Sequence, residues 1–247
     1  CLHRLENDGE TPPRRGGQRA PEHGAMSLLD TPVREVAWAA IDFEGTGTAP
    51  GQSDEAVQVG IAVMGANFAP PQNFFRSYLR PNGRLTRAAT AVHRITDRDV
   101  EAAPLLPSLW PEIKSRLSGS VVVAHGAGTE KRFLRAFPMH GFGPWIDTLA
   151  LSRALMPALS DHSLSAVVAS CQLEPVLRAA CPDLDWHDAL FDAVACLVLL
   201  RCCLERFDLS SSVVGQIASA DTAAYPRGRA FSRAAHEAGI DSTEGHG

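Results

Sequence analysis

The chain has 247 residues, 45% apolar and 21% charged, enough for one sizeable hydrophobic core with about 50 to 80 residues of appendage. Its longest apolar run, Ala193 to Leu200, has eight residues where a membrane helix needs about 20, which excludes a membrane-spanning protein. The formal net charge of −5 argues against holding nucleic acid by bulk electrostatics alone and leaves a nucleic-acid enzyme open.

Residues 1–25 carry four arginines against four acids among glycines and prolines, and Met26 stands just before the first patterned segment. They lack the apolar stretch of a signal peptide, so a cytoplasmic protein with a flexible leader over 1–34 is expected. Glu35 to Phe43 is an apolar run of strand length, closed by the glycines and proline of residues 45–51. Ala56 to Gly65 and Asn73 to Arg80 read as two further strands, joined as a hairpin through residues 67–72. After Pro81-Asn82-Gly83 the period turns helical at Leu85, Ala88, Ala89 and Val92, and a second amphipathic segment follows at Leu105, Leu109, Ile113 and Leu117.

Ser120 to His125 is a short continuous apolar strand of the kind buried on both faces. Gly126 and Gly128 lead from it into a helix at 130–137, stopped by Pro138. Helices are predicted over 147–156 and 163–171, with Asp147 and Asp161 placed to cap them, and over 186–207. The polar remainder is predicted to be a tail over 208–247 with a short helix around 229–237. Strands first as a meander, then alternating with helices, give an α/β domain over 35–207: a mixed sheet, antiparallel then parallel, flanked by helices.

The six cysteines form no CxxC pair, and three of them fall in the apolar C-terminal helix, so buried, reduced thiols are expected. Between Arg76 and Arg98 lie six arginines and a single acid, Asp97, a local basic stripe in an acidic chain.

Four carboxylates occupy costly positions. Asp42 and Glu44 sit two apart at the end of an apolar strand, so the strand period puts both on one face, where they need water or a cation. The helical neighbours of Asp192 are Ala189, Ala195, Cys196 and Leu199, an apolar stripe on which an acid is expensive. Glu130 shares its face with Phe133, Leu134 and Phe137, although near a helix N-terminus an acid also complements the dipole. His187, about 140° around the helix from Asp192, is expected in the first turn behind an Asp185 cap, where its ring can swing toward the acids.

Taken in order, IDFEGTG at 41–47, VAHGAGTEKRFL at 123–134 and HDALFD at 187–192 resemble the three motifs of the DEDDh exonucleases, the DnaQ-like branch of the ribonuclease H-like fold. The segments ATAVHRITDRDV at 89–100, WIDTLALSR and DHSLSAV are similar to helices of that family, and the resemblance spans about residues 37–200. It implies a 3′-5′ exonuclease that removes the terminal nucleotide of single-stranded DNA or RNA with two divalent cations, Mg²⁺ or Mn²⁺. Carried over by position, Asp42 would bridge the cations, Glu44 and Asp192 would hold one, Glu130 would serve the second, and His187 would be the general base. Val92, His93 and His125 would line the pocket for the terminal nucleotide, with the Gly45-Thr46 backbone near its sugar. The family also implies homodimers or polymerase and repair partners.

The second motif departs from the family pattern, with Gly126 for the usual Asn, Thr129 where the family has a residue close to an aromatic, and Glu130 for Asp. A competing reading is a catalytically weak module on the same fold that binds nucleic acid or a partner, with the altered motif and the 40-residue polar tail as its signs. A metal hydrolase of other substrates is a second.

Overall fold

A computed structural model of the chain describes residues 27–218. The leader up to residue 26 and the segment from 219 onward, with the helix anticipated at 229–237, lie outside the described residues.

Five strands form one mixed sheet in the order β3-β2-β1-β4-β5. They are β1 (Trp38–Gly45), β2 (Ala56–Met64), β3 (Gln72–Tyr78), β4 (Val121–Ala124) and β5 (Trp145–Asp147). The first three pair antiparallel as the meander read from the sequence, and β4 and β5 add parallel to β1. Helices α1 (Arg87–His93), α2 (Asp97–Val100), α3 (Trp110–Leu117) and α4 (Gly128–Phe133) come before β5. After it follow α5 (Thr148–Leu155), α6 (Leu164–Ser170), α7 (Glu174–Ala180), α8 (Ala189–Arg206) and α9 (Val214–Ala218). Thr86 caps α1 through Ala89 N, and the Asp147 carboxylate caps α5 through Leu149 and Ala150 N, each satisfying donors that the helix leaves open. Among the described residues no helix is long and apolar enough to cross a membrane.

The strand period divides β1 between two cores. Trp38 and Ala40 pack on the face covered by α8, α6 and α7, while Ala39, Ile41 and Phe43 pack opposite them with Ile113, Leu117, Phe133 and Leu134. The 18-residue α8 is buried on nearly all sides, and Ala193 to Leu200 contributes a continuous apolar block to the first core.

Packing contacts also occur outside residues 35–207. Pro32 bridges to Val213, and Val33 and Val214 are fully buried beside Ile217. These anchors are single apolar residues in short segments, too few to register as a period. The strand β5, at three residues, and α7, entered through Pro175, also went unread in the sequence.

Close approach of α8 to the sheet rests on one glycine. Gly60 on β2 lies opposite Asp42 in register, and a Cβ at Gly60 would overlap the backbone of Ala189 and Leu190 at the start of α8. The absence of a side chain lets the helix terminus sit directly on the strand. Gly60→Ala is therefore expected to destabilise the fold by about 1–3 kcal/mol through overpacking. By contrast Gly128→Ala, where a Cβ meets nothing within 4 Å, should change stability by less than about 1 kcal/mol. Urea denaturation followed by circular dichroism measures both, and equal stability of the two variants would contradict the close-packing account.

Candidate active site

Asp42 and Glu44 emerge on the α8 face of β1, near the C-terminal ends of the parallel strands β1 and β4, where α/β sheets open a crevice. Asp192, in the first turn of α8, faces the same spot. Glu130, third residue of α4, reaches it from the loop after β4 and is only 3% exposed. The four acids that the sequence marked as misplaced thus converge from one strand and two helices.

Their electrostatics are unfavourable as they stand. Burial, then the charges of Asp192, Glu130 and Glu44, push the Asp42 carboxyl well above the ordinary range. Burial and the neighbouring charges of Asp192, Asp188 and Glu130 push Glu44 up to about 8. Burial is also the main cause that raises Glu130 and Asp192, each to about 7. Glu130 Oε2 and Asp192 Oδ1 are buried with no hydrogen-bond partner among the described residues. A cluster of oxygen donors with orphaned lone pairs and suppressed ionisation fits a hard divalent cation, which would supply the missing positive charge.

His187 is exposed and precedes α8 in a left-handed conformation with φ 66°. Its ring offers a nitrogen within 4.8 Å of a carboxylate oxygen of both Glu44 and Asp192, and its backbone N–H donates to Asp192 Oδ2 at 3.3 Å. The expected Asp185 cap is not formed. Asp188 caps α8 instead, accepting from Leu190 N at 3.1 Å, while Asp185 accepts from Arg178 at 2.8 Å and from Trp186 N at 2.9 Å.

Asp188 wins because the sheet holds it. Gln58, 1% exposed and opposite Glu44 in register, donates to Asp188 Oδ2 at 3.1 Å and accepts from Ala189 N at 2.8 Å. Arg76, opposite Gly60 on β3, donates to the same oxygen at 2.8 Å. These residues grip the segment that carries His187. Sequence reasoning missed Gln58 and Asp188 because their separation of 130 positions leaves no local signal, and it read Arg76 only as part of the basic stripe.

Several residues expected at the nucleotide pocket spend their polar groups on the fold. His93 Nδ1 accepts from Ile95 N at 3.0 Å, leaving Nε2 to donate to the Gly45 carbonyl at 3.1 Å. His125 Nδ1 lies 3.0 Å from Thr148 Oγ1, and its Nε2 lies 2.8 Å from the His162 carbonyl. Burial lowers the pKa of both histidines. Thr46 is fully buried, its N–H donating to the Glu55 carbonyl at 2.8 Å and its carbonyl accepting from Thr86 N at 2.9 Å, so its backbone is already paired. Val92 is 47% exposed on α1.

The altered second motif also has a physical reason. Gly126 has φ 80°, and its N–H and that of Ala127 donate to the Asp147 carboxylate at 2.8 and 3.1 Å. Glycine adopts this left-handed conformation freely, and Asn, the usual family residue, is among the few others that tolerate it. The turn delivers Glu130 into the cluster in spite of the substitution. Asp54 completes the surround, accepting from Gly47 N at 2.8 Å and from Arg132 at 2.6 Å, which ties α4 to the loop after β1.

Comparison with known proteins points one way. The family model described as exonuclease matches residues 39–200. A DNA polymerase III subunit epsilon-like protein of Rhodobacter capsulatus is 30% identical over 176 residues, which are 70% of this chain and 24% of that protein. A PolC-type DNA polymerase III of Thermotoga maritima is 30% identical over 179 residues, 70% of this chain and 12% of the relative. The chain thus spans a quarter or less of the length of these relatives. The solved structure of exonuclease X in complex with 5′ overhanging duplex DNA shares the fold with a TM-score of 0.59 and 25% identity, covering 73% of this chain and 99% of that one.

The raised carboxyl pKa values fix the sign of a stability profile. Glu44 moves from 4.5 to about 8, Glu130 from 4.5 to about 7 and Asp192 from 3.8 to about 7, so the folded protein binds more protons than the unfolded chain between about pH 4 and 8. Stability of the chelated protein should therefore fall as pH rises through that window. Thermal unfolding in EDTA is expected to give a lower Tm at pH 8 than at pH 5, with Mg²⁺ or Mn²⁺ restoring it at pH 8 and Asp192→Asn flattening the slope. A Tm that neither falls with pH nor responds to the cations would contradict the burial of these charges.

Proposed function

The chain belongs to the DnaQ-like exonuclease family, and from that premise we propose that it hydrolyses the terminal phosphodiester at the 3′ end of single-stranded DNA or RNA. The observation that carries this reading is the convergence of Asp42, Glu44, Glu130 and Asp192, two of them with orphaned buried oxygens, beside an exposed His187. Asp42, Glu44 and Asp192, with Glu130, would hold two divalent cations, Mg²⁺ or Mn²⁺. When bound, such a pair supplies electrophilic stabilisation of the charge that develops in phosphodiester cleavage.

This chain's own residues account for the remaining tasks. His187 acts as the general base: its ring reaches the cluster yet stays exposed, so it can take the proton of the attacking water at a ring nitrogen and release it to solvent. Gln58, Asp188 and Arg76 position the segment that carries it. Val92 offers an apolar surface to the terminal base, while His93 holds the Gly45 turn in place and His125 braces the loop after β4. Arg80, Arg84, Arg87 and Arg98 are exposed, and we assign them to the phosphates of the incoming strand. The names of the relatives favour DNA polymerase as a partner. The proposed exonuclease domain is residues 35–207, with the segments around Leu28 and Val214 packed against it.

The test is a time course on 5′-labelled single-stranded DNA and RNA of one sequence with Mg²⁺, Mn²⁺ or EDTA. The expected outcome is a ladder shortening from the 3′ end with a cation, lost in EDTA. Asp42→Asn is expected to lower the rate by about 100-fold or more, the scale of removing a principal electrostatic contributor. Binding without a ladder in either metal would favour the weak, binding-only reading of the same fold.

A further inference from the structure

His187 stands where the backbone resists staying. It is the third residue of a turn closed by the Asp188 N–H, which donates to the Asp185 carbonyl at 3.1 Å, and its φ of 66° lies in the left-handed region that residues with a side chain rarely adopt. Such a conformation persists only where the surroundings fix it. On the C-terminal side of His187 they do so through Gln58 and Arg76, which hold Asp188 to the sheet.

On the N-terminal side the hold comes from α7. Arg178 uses both arms of its guanidinium on the turn: Nη1 donates to the Leu184 carbonyl at 3.0 Å and Nη2 to Asp185 Oδ1 at 2.8 Å. The same carboxylate oxygen accepts from Trp186 N at 2.9 Å, so one Asp185 oxygen ties the arginine to the residue before His187. The guanidinium also lies over the ring of Phe191, 5.0 Å from its centroid, and the Trp186 ring meets Phe191 edge-on at 5.1 Å. Phe191 is fully buried in the first turn of α8, one residue before Asp192. The ion pair with Asp185 is half-exposed, 44% and 48% at the two side chains, and alone would contribute little. Its combination with the carbonyl bond and the stacking fixes the direction of the planar group as well as its distance.

We propose that Arg178 is a positioning residue for the nuclease reaction, clamping the 184–186 segment to the start of α8 so that the His187 ring is held at the carboxylate cluster. The proposal rests on the reading of His187 as the general base. Arg178 belongs to α7 and acts only through the turn. Losing it frees one end of a strained turn whose other end stays fixed, and a base displaced by a fraction of its reach leaves the attacking water unserved.

The test compares the full chain with Arg178→Ala by hydrogen–deuterium exchange and by hydrolysis of labelled single-stranded DNA. The Trp186, His187 and Asp188 amides, each a donor within this turn or to Asp192, are expected to exchange about 10-fold faster in the variant, while β1 and β2 keep wild-type protection. The kcat should fall about 10-fold with KM changed by less than about 2-fold. Arg178→Lys, whose ammonium has no planar fork to meet the carbonyl and the carboxylate together, should fall between wild type and Arg178→Ala on both measures. In a His187→Ala background, adding Arg178→Ala should lower the rate by less than about 2-fold, because the group it positions is gone. Unchanged exchange at the three amides, or the full loss repeated in the His187→Ala background, would overturn the proposal. Absence of a 3′ ladder in the wild type would instead overturn the exonuclease reading beneath it.

Discussion

The N-terminus of α8 rests directly on β2, and the geometry of the site depends on that contact. Across the sheet, Arg76, Gly60 and Asp42 form one row, and Tyr78, Gln58 and Glu44 form the next. In the first row glycine leaves the space that the helix terminus occupies, and arginine reaches over it to Asp188. In the second, Gln58 uses both ends of its amide on Asp188 and Ala189. A buried amide satisfied at both ends is a stringent positional constraint, because any shift of the helix leaves a donor or an acceptor unpaired at a cost of about 1–3 kcal/mol. That constraint aligns Asp192 with Asp42 and holds His187 at the rim.

The same contact works against stability in one respect. Packing the helix onto the strand encloses carboxylates that repel one another and lack enough donors of their own, so protons or cations must neutralise them. The fold tolerates this because two hydrophobic cores, one on each side of β1, carry its stability independently of the site. Charge that is unfavourable for the isolated protein is what a cation-dependent site requires.

Much of this was legible in the sequence, for identifiable reasons. Strands β1, β2 and β4 announce themselves as apolar runs, β3 by its aromatic residues after a proline-containing turn, and Asp192 stands out because its helical neighbours are all apolar. Glu130 was less distinctive alone, since an acid in the first turn of a helix is unremarkable; order and spacing with the other acids identified it. What remained hidden was non-local or too short. Gln58 is one polar residue in an apolar strand, and its partner lies 130 positions away. The three-residue β5 has no room for a period. His93, His125 and Thr46 look like ligand-facing residues in a motif, yet their partners are the Gly45 carbonyl, the His162 carbonyl and the Glu55 carbonyl, which only the folded chain brings near.

We propose that the four carboxylates gathered by the seating of α8 on β2 hold divalent cations at one site. Titration of the full chain with Mn²⁺, read by electron paramagnetic resonance of the free ion, tests it most directly. Saturable binding of two ions per chain is expected, sharply weakened in Asp42→Asn and in Asp192→Asn. Binding that does not saturate, or that is the same in wild type and both variants, would contradict it.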